Sequence, residues 1–101
     1  MKKLFLTITL LICFSSFGQT AKEYSNKGVD KFLSGDYSGS IIEYNKAIEI
    51  NPNSTILTYL PYRNRAMAKH LINDHYGACQ DANKAQELGF DATRMINIVC
   101  K

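Results

Sequence analysis

The residues that could carry chemistry are few. Two cysteines, Cys79 and Cys100, lie in the C-terminal part of the 101-residue chain, and a third, Cys13, lies near its start. There are only two histidines, His70 and His75. Five positions apart, they share no helix face, and no third ligand has metal-site spacing, so the pair reads as solvated or rim histidines and no metal is expected. Asp36 and Asp74 could be read as a carboxylate pair, but each also stands where a helix cap would stand. No glycine-rich phosphate loop, Gly-x-Ser-x-Gly or His-Glu-x-x-His occurs. Ser38-Gly39-Ser40 has no partnered base, and the cysteines lack the Cys-x-x-Cys spacing of a redox pair. These absences point away from an enzyme and call for no cofactor.

The elements that would position these residues begin after an export segment. Met1-Lys2-Lys3 is a positive start, Leu4 to Phe14 is apolar, and Ser15-Ser16-Phe17-Gly18 is rich in small residues. That order is the layout of a secretory signal peptide over residues 1–18, cut after Gly18. An uncleaved anchor is the alternative. Against it, the run is shorter than the roughly 20 apolar residues of a spanning helix. Cys13 as a lipid-attachment site would want a small residue before it, where Ile12 stands. Export places the mature chain in the periplasm or outside the cell, with no membrane span. Removal of two lysines leaves 10 Lys+Arg against 9 Asp+Glu, a charge of about +1. So even a balance is poor ground for nucleic-acid or membrane-surface binding. Cys79 and Cys100 remain, and an even pair in an exported chain is a disulfide candidate.

The chain from 19 to 101 matches itself when slid by 38 residues. Tyr24 falls on Tyr62, Asn26 on Asn64, Lys31 on Lys69, Asp36 on Asp74 and Gly39 on Gly77. Asn45, Lys46, Ala47 and Glu49 fall on Asn83, Lys84, Ala85 and Glu87. Nine identities without a gap signal a stacked-repeat architecture. Each repeat reads as two helices. In the first, Tyr24, Gly28 and Phe32 mark one face, Gly35 suits a left-handed helix end, and Asp36 caps the next helix. That helix carries Tyr37, Ile41, Tyr44 and Ile48 on one stripe, with Ser40 and Ala47 beside it. Asn51-Pro52-Asn53 stops it. The second repeat uses Tyr62, Ala66, Asn73 in place of the glycine, and Asp74. Its second helix uses Ala78, Ala82, Ala85 and Leu88 and ends at Gly89. A last helix is expected from about Ala92 to Cys100, with Met95, Ile96, Val99 and Cys100 on one side. Gly28 and Ala66 are expected to face Ser40 and Ala78, because bulk there would force the helices apart.

These residues resemble the tetratricopeptide repeat, an αα-hairpin of about 34 residues with aromatic, small and proline positions in a fixed order. Tyr24, Gly28, Phe32, Gly35-Asp36-Tyr37, Ser40, Tyr44, Ala47 and Pro52 carry the resemblance in residues 21–54. Ala66, Ala78 and Ala85 carry it in residues 59–92, with Ala82 in place of the aromatic and Phe90 in place of the proline. The extra four residues of the 38-residue period fall between Asn53 and Tyr59, as an added helical turn or as loop with Pro61 opening the helix. The resemblance implies an all-α, right-handed superhelix of two hairpins plus a C-terminal capping helix over 92–101. It further implies a non-catalytic module that binds a protein or an extended peptide on the concave face of each hairpin's first helix. The residues placed there are Ser25, Val29 and Phe32, then Arg63, Asn64, Met67 and His70. Some family members grip a terminal carboxylate with a Lys/Asn/Arg set. Asn64 fits that set, but Ser25 and Val29 stand where Lys and Asn belong.

The resemblance also bears on the cysteines, since short exported proteins of this kind often carry such a pair. Cys79 lies early in the fourth expected helix and Cys100 late in the fifth, so antiparallel packing would bring them together. A disulfide that clamps the closing helix is one reading, and two buried apolar thiols are the other. Two further functions stand beside the binding module. One is a structural component that self-associates to extend the short stack. The other is a thiol-redox protein using Cys79 and Cys100.

Overall fold

The computed structural model describes residues 20–50 and 59–101. The expected signal segment, and the residues between Asn53 and Tyr59 that would hold the four-residue insertion, lie outside the described residues. Among the described residues every regular element is a helix: α1 Ala21–Leu33, α2 Tyr37–Ile50, α3 Tyr59–Leu71, α4 His75–Glu87 and α5 Thr93–Val99. None of them is long and apolar enough to cross a membrane. Pro61 is the third residue of α3, in the first turn, where a helix has no partner for a backbone N–H.

Local chemistry sets the helix ends. The hydroxyl of Thr20 accepts the Glu23 N–H at 3.2 Å and caps α1. The turn Ser34-Gly35-Asp36 joins α1 to α2, and Ile72-Asn73-Asp74 joins α3 to α4 in the same way. In both, the aspartate N–H returns to the carbonyl five residues back, Asp36 to Lys31 at 2.9 Å and Asp74 to Lys69 at 2.8 Å. The residue before each aspartate bonds three back, completing a Schellman motif. That motif needs a left-handed residue, which Gly35 supplies at φ 87° and Asn73 at φ 68°. Each aspartate then caps the following helix: Asp36 Oδ1 accepts the Gly39 N–H at 2.9 Å, and Asp74 Oδ1 accepts the Gly77 N–H at 3.0 Å. Both aspartates are spent as caps. Helix α4 ends at Glu87, slightly before the expected Gly89, because Gly89 is itself the left-handed residue of a third Schellman turn. Helix α5 is shorter than expected, and Asp91 holds its start by accepting both the amide N–H and the hydroxyl of Thr93.

The helices pack in sequence, α1 on α2, α2 on α3, α3 on α4 and α4 on α5, with α1 also reaching α3. The core between them is mostly alanine: Ala47, Ala66, Ala68, Ala78, Ala82, Ala85 and Ala92 are buried. In α2 the fully buried line is Ser40, Tyr44 and Ala47, whereas Tyr37, Ile41 and Ile48 are half-buried. The small residues expected beside the stripe therefore form its centre, because they allow the closest approach. Gly28 also faces the ring of Tyr44, and a Cβ built on it would fall on ring carbons. The second repeat has Ala66 and Ala82 at the matching positions, and Val99 of α5 packs with them and Ala78. Met95, Ile96 and Cys79 cover this cluster. The closing helix thus supplies the bulk that Tyr44 supplies in the first repeat.

A buried carboxylate joins three helices. Asp81 of α4 is 4% exposed. Arg65 of α3 grips it bidentately, Nε and one terminal nitrogen each at 2.7 Å, and Lys69 Nζ lies 3.1 Å away. The other terminal nitrogen of Arg65 donates to Asn45 Oδ1 of α2 at 2.7 Å.

Two substitutions test this packing. Gly28→Ala is expected to destabilise the fold by about 1–3 kcal/mol, since overpacking against the buried Tyr44 ring outweighs the helix-propensity gain of roughly 1 kcal/mol. Asp81→Ala strands two cations and is expected to cost roughly 3–5 kcal/mol. Urea unfolding of the oxidised protein measures both, and a variant as stable as the parent would contradict the corresponding contact.

Candidate binding groove and the disulfide-held helix

Four helices contribute to one groove. Val29 and Phe32 come from α1, Tyr44 from α2, Arg63, Asn64 and Met67 from α3, and Met95 from α5, around a volume of about 450 Å³. A second hollow of about 530 Å³ adjoins it, sharing Met67 and Met95 and adding Phe90, Asp91, Thr93, Arg94 and Ile98. Helical periodicity explains the first wall: Val29 and Phe32 are three apart on α1, and Arg63 and Met67 are four apart on α3. Five of the seven residues expected on the concave face meet here. Ser25 is half-buried on α1 outside the lining. His70 is also outside it: its Nδ1 lies 3.2 Å from Nδ1 of His75 across the α3–α4 turn. The two histidines share no helix face, as their spacing requires, yet the tight turn folds one ring onto the other. They sit at the rim as expected, His75 exposed and His70 half-buried, and there they form a pair.

The polar groups of the groove are held in place. Arg63 donates through Nε and a terminal nitrogen to Asn64 Oδ1, at 3.2 and 3.0 Å. Its guanidinium lies over the Phe90 ring, 5.3 Å from the centroid. Phe90 in turn stacks on Tyr59, with centroids 5.2 Å apart. Phe90 thus orients a groove cation. Burial pushes the Tyr44 phenol above its ordinary range, while Asn64 and Arg63 beside it pull the other way. A raised phenol stays protonated at neutral pH, so the buried Tyr44 adds no charge to the groove wall. The groove can therefore bury apolar side chains against Val29, Phe32, Met67 and Met95. It can also hydrogen-bond a peptide backbone or an acidic group through the half-buried Arg63 and Asn64.

Sequence reasoning missed Tyr44 and Met95. Tyr44 could have been found from Gly28, because a glycine at the small-residue position leaves room for the partner helix's aromatic. Met95 depends on how α5 folds back, which no local pattern reveals.

That fold-back is fixed covalently. Cys79 and Cys100 form a disulfide, with Cα atoms 4.8 Å apart and 21 residues of sequence separation. The alternative of two buried apolar thiols does not hold, since Cys100 is exposed and Cys79 half-buried. The bond ties the end of the seven-residue α5 to α4. Cys79→Ser with Cys100→Ser is expected to cost about 3 kcal/mol by loop-closure entropy. Thermal unfolding of the double variant beside the oxidised parent measures this, and equal midpoints would contradict it.

No family model matches the chain, and no curated protein or solved structure matches it.

Proposed function

We propose that this chain is an exported, non-catalytic binding module of tetratricopeptide type. Its two hairpins and closing helix form the short right-handed stack that the repeat pattern implies, and it holds an extended peptide segment of a partner protein in the groove between α1, α3 and α5. The observation that carries this reading is the groove itself. Val29, Phe32, Arg63, Asn64 and Met67 come from two repeats 38 residues apart and converge on one concavity. Its apolar walls and fixed Arg63–Asn64 pair suit a peptide that offers a large apolar side chain next to an acceptor. The 38-residue self-match, the paired Schellman turns and the repeated aspartate caps support the repeat assignment.

The test is capture from the envelope fraction by the mature chain, beside a variant carrying Arg63→Ala and Asn64→Ala. Both side chains are only half-buried, so the variant is expected to fold and to lose its partner by at least tenfold in recovered amount. Circular dichroism checks the fold. Undiminished capture by the variant would move binding elsewhere. Turnover or thiol-exchange activity with no captured partner would overturn the proposal.

A further inference from the structure

His70 and His75 occupy the positions that Phe32 and Tyr37 occupy in the first repeat. The ring geometry is the same in both places. Phe32 and Tyr37 meet edge to face with centroids 5.1 Å apart at 61°, and His70 and His75 meet with centroids 5.1 Å apart at 62°. A pair of aromatic rings bridges each turn, but in the second repeat both rings are imidazoles. Ring packing alone would be met by any two aromatics. Two imidazoles add nitrogens, and the two Nδ1 atoms face each other at 3.2 Å.

From this juxtaposition we propose that His70 and His75 form a two-nitrogen chelate for a borderline divalent transition metal: copper(II), zinc or nickel. Imidazole nitrogen suits these ions and not magnesium or calcium. Two nitrogens bound to one tetrahedral ion at 2.0–2.1 Å lie about 3.3–3.4 Å apart, so the observed separation already fits. Between neutral rings, one Nδ1–H donates to the other Nδ1. Metal entry requires both lone pairs, so the donor ring moves its proton to Nε2, and no net charge is lost from the protein. His75 is exposed and His70 half-buried, which leaves an open approach from solvent. Among the described residues no group of three or more His, Cys, Asp and Glu converges, and Oδ1 of Asp74, the residue before His75, already accepts the Gly77 N–H. The remaining coordination positions are therefore filled by water or by a second molecule's ligand. The rings belong to α3 and α4, so a bound ion staples the second hairpin across its turn.

The chelate is tested on mature, oxidised protein without an affinity tag. Copper(II), zinc and nickel chlorides are titrated in separate calorimetry runs, and melting is followed with and without each ion. The comparison variant is His70→Phe with His75→Tyr, which restores the first repeat's ring pair and so keeps the packing. The parent is expected to bind one ion per chain, most tightly copper(II), and to melt at a higher temperature with metal. The variant is expected to bind at least tenfold more weakly and to show no shift. His70→Ala and His75→Ala are each expected to lose the shift as well. Absence of saturable one-to-one binding by the parent, or equal binding by the variant, would overturn the proposal. Peptide capture by the groove does not enter this readout, so the two proposals stand or fall separately.

Discussion

The paired helices must approach closely, and only small side chains let them do so. Gly28, Ser40 and Ala47 make this contact in the first hairpin, and Ala66, Ala78, Ala82 and Ala85 make it in the second. Close approach has a thermodynamic consequence. An alanine buries little apolar area, so a core built on alanine gains less from the hydrophobic effect than one built on leucine, at about 25 cal/mol per Å². A domain this small starts with a limited core in any case. The remaining features of the molecule offset that shortfall: side-chain caps on three helices, one bidentate ion pair tied to a third helix through Asn45, and one disulfide.

The disulfide also matters for the groove. Helix α5 has seven residues, far fewer than an isolated helix needs to persist in water. It stays in place through Val99 in the alanine cluster, Asp91 at its start and the Cys79–Cys100 bond at its end. Met95 projects from this helix into the groove, and Thr93, Arg94 and Ile98 line the adjoining hollow. The element that closes the core therefore also builds one wall of the site. Phe90 has a similar double role, stacking on Tyr59 on one side and carrying Arg63 on the other.

What the sequence made legible was local. The left-handed positions at Gly35 and Asn73 and the caps at Asp36 and Asp74 depend on residues a few positions apart, and all follow from backbone chemistry. The cysteine pairing was legible as one of two readings because it needed only the direction of two helices. Contacts between side chains far apart in sequence were not legible. The Tyr44 ring against Gly28 and the Arg65–Asp81 fork each need to know how two helices are rotated about their axes. Periodicity gives the face of a helix, but not which of two neighbouring lines on that face lies deepest. That is why the large residues Tyr37, Ile41 and Ile48 were expected in the centre, where Ser40 and Ala47 lie. The contact between the two histidine rings was hidden for a related reason: helical spacing separates them, and the intervening turn brings them together.

The two repeats share a register but differ in how well their buried acids are matched. Glu43 stands where Asp81 stands, and Lys27 stands where Arg65 stands. Lys27 lies over the Tyr24 ring instead of reaching the acid. Lys46 approaches Glu43 Oε1 at 3.5 Å, and among the described residues the buried Oε2 has no hydrogen-bond partner. A buried acceptor left unpaired costs about 1–3 kcal/mol, whereas the forked Asp81 is satisfied on both oxygens. A lysine is a point charge on a flexible stem and cannot replace the planar fork of an arginine. The second hairpin, with the fork and the disulfide, is therefore the firmly tied half, and the first hairpin is the less constrained one. The groove runs between them. Met67 and Met95 belong to its fixed side, and Val29 and Phe32 to the side with more freedom to adjust around an occupant.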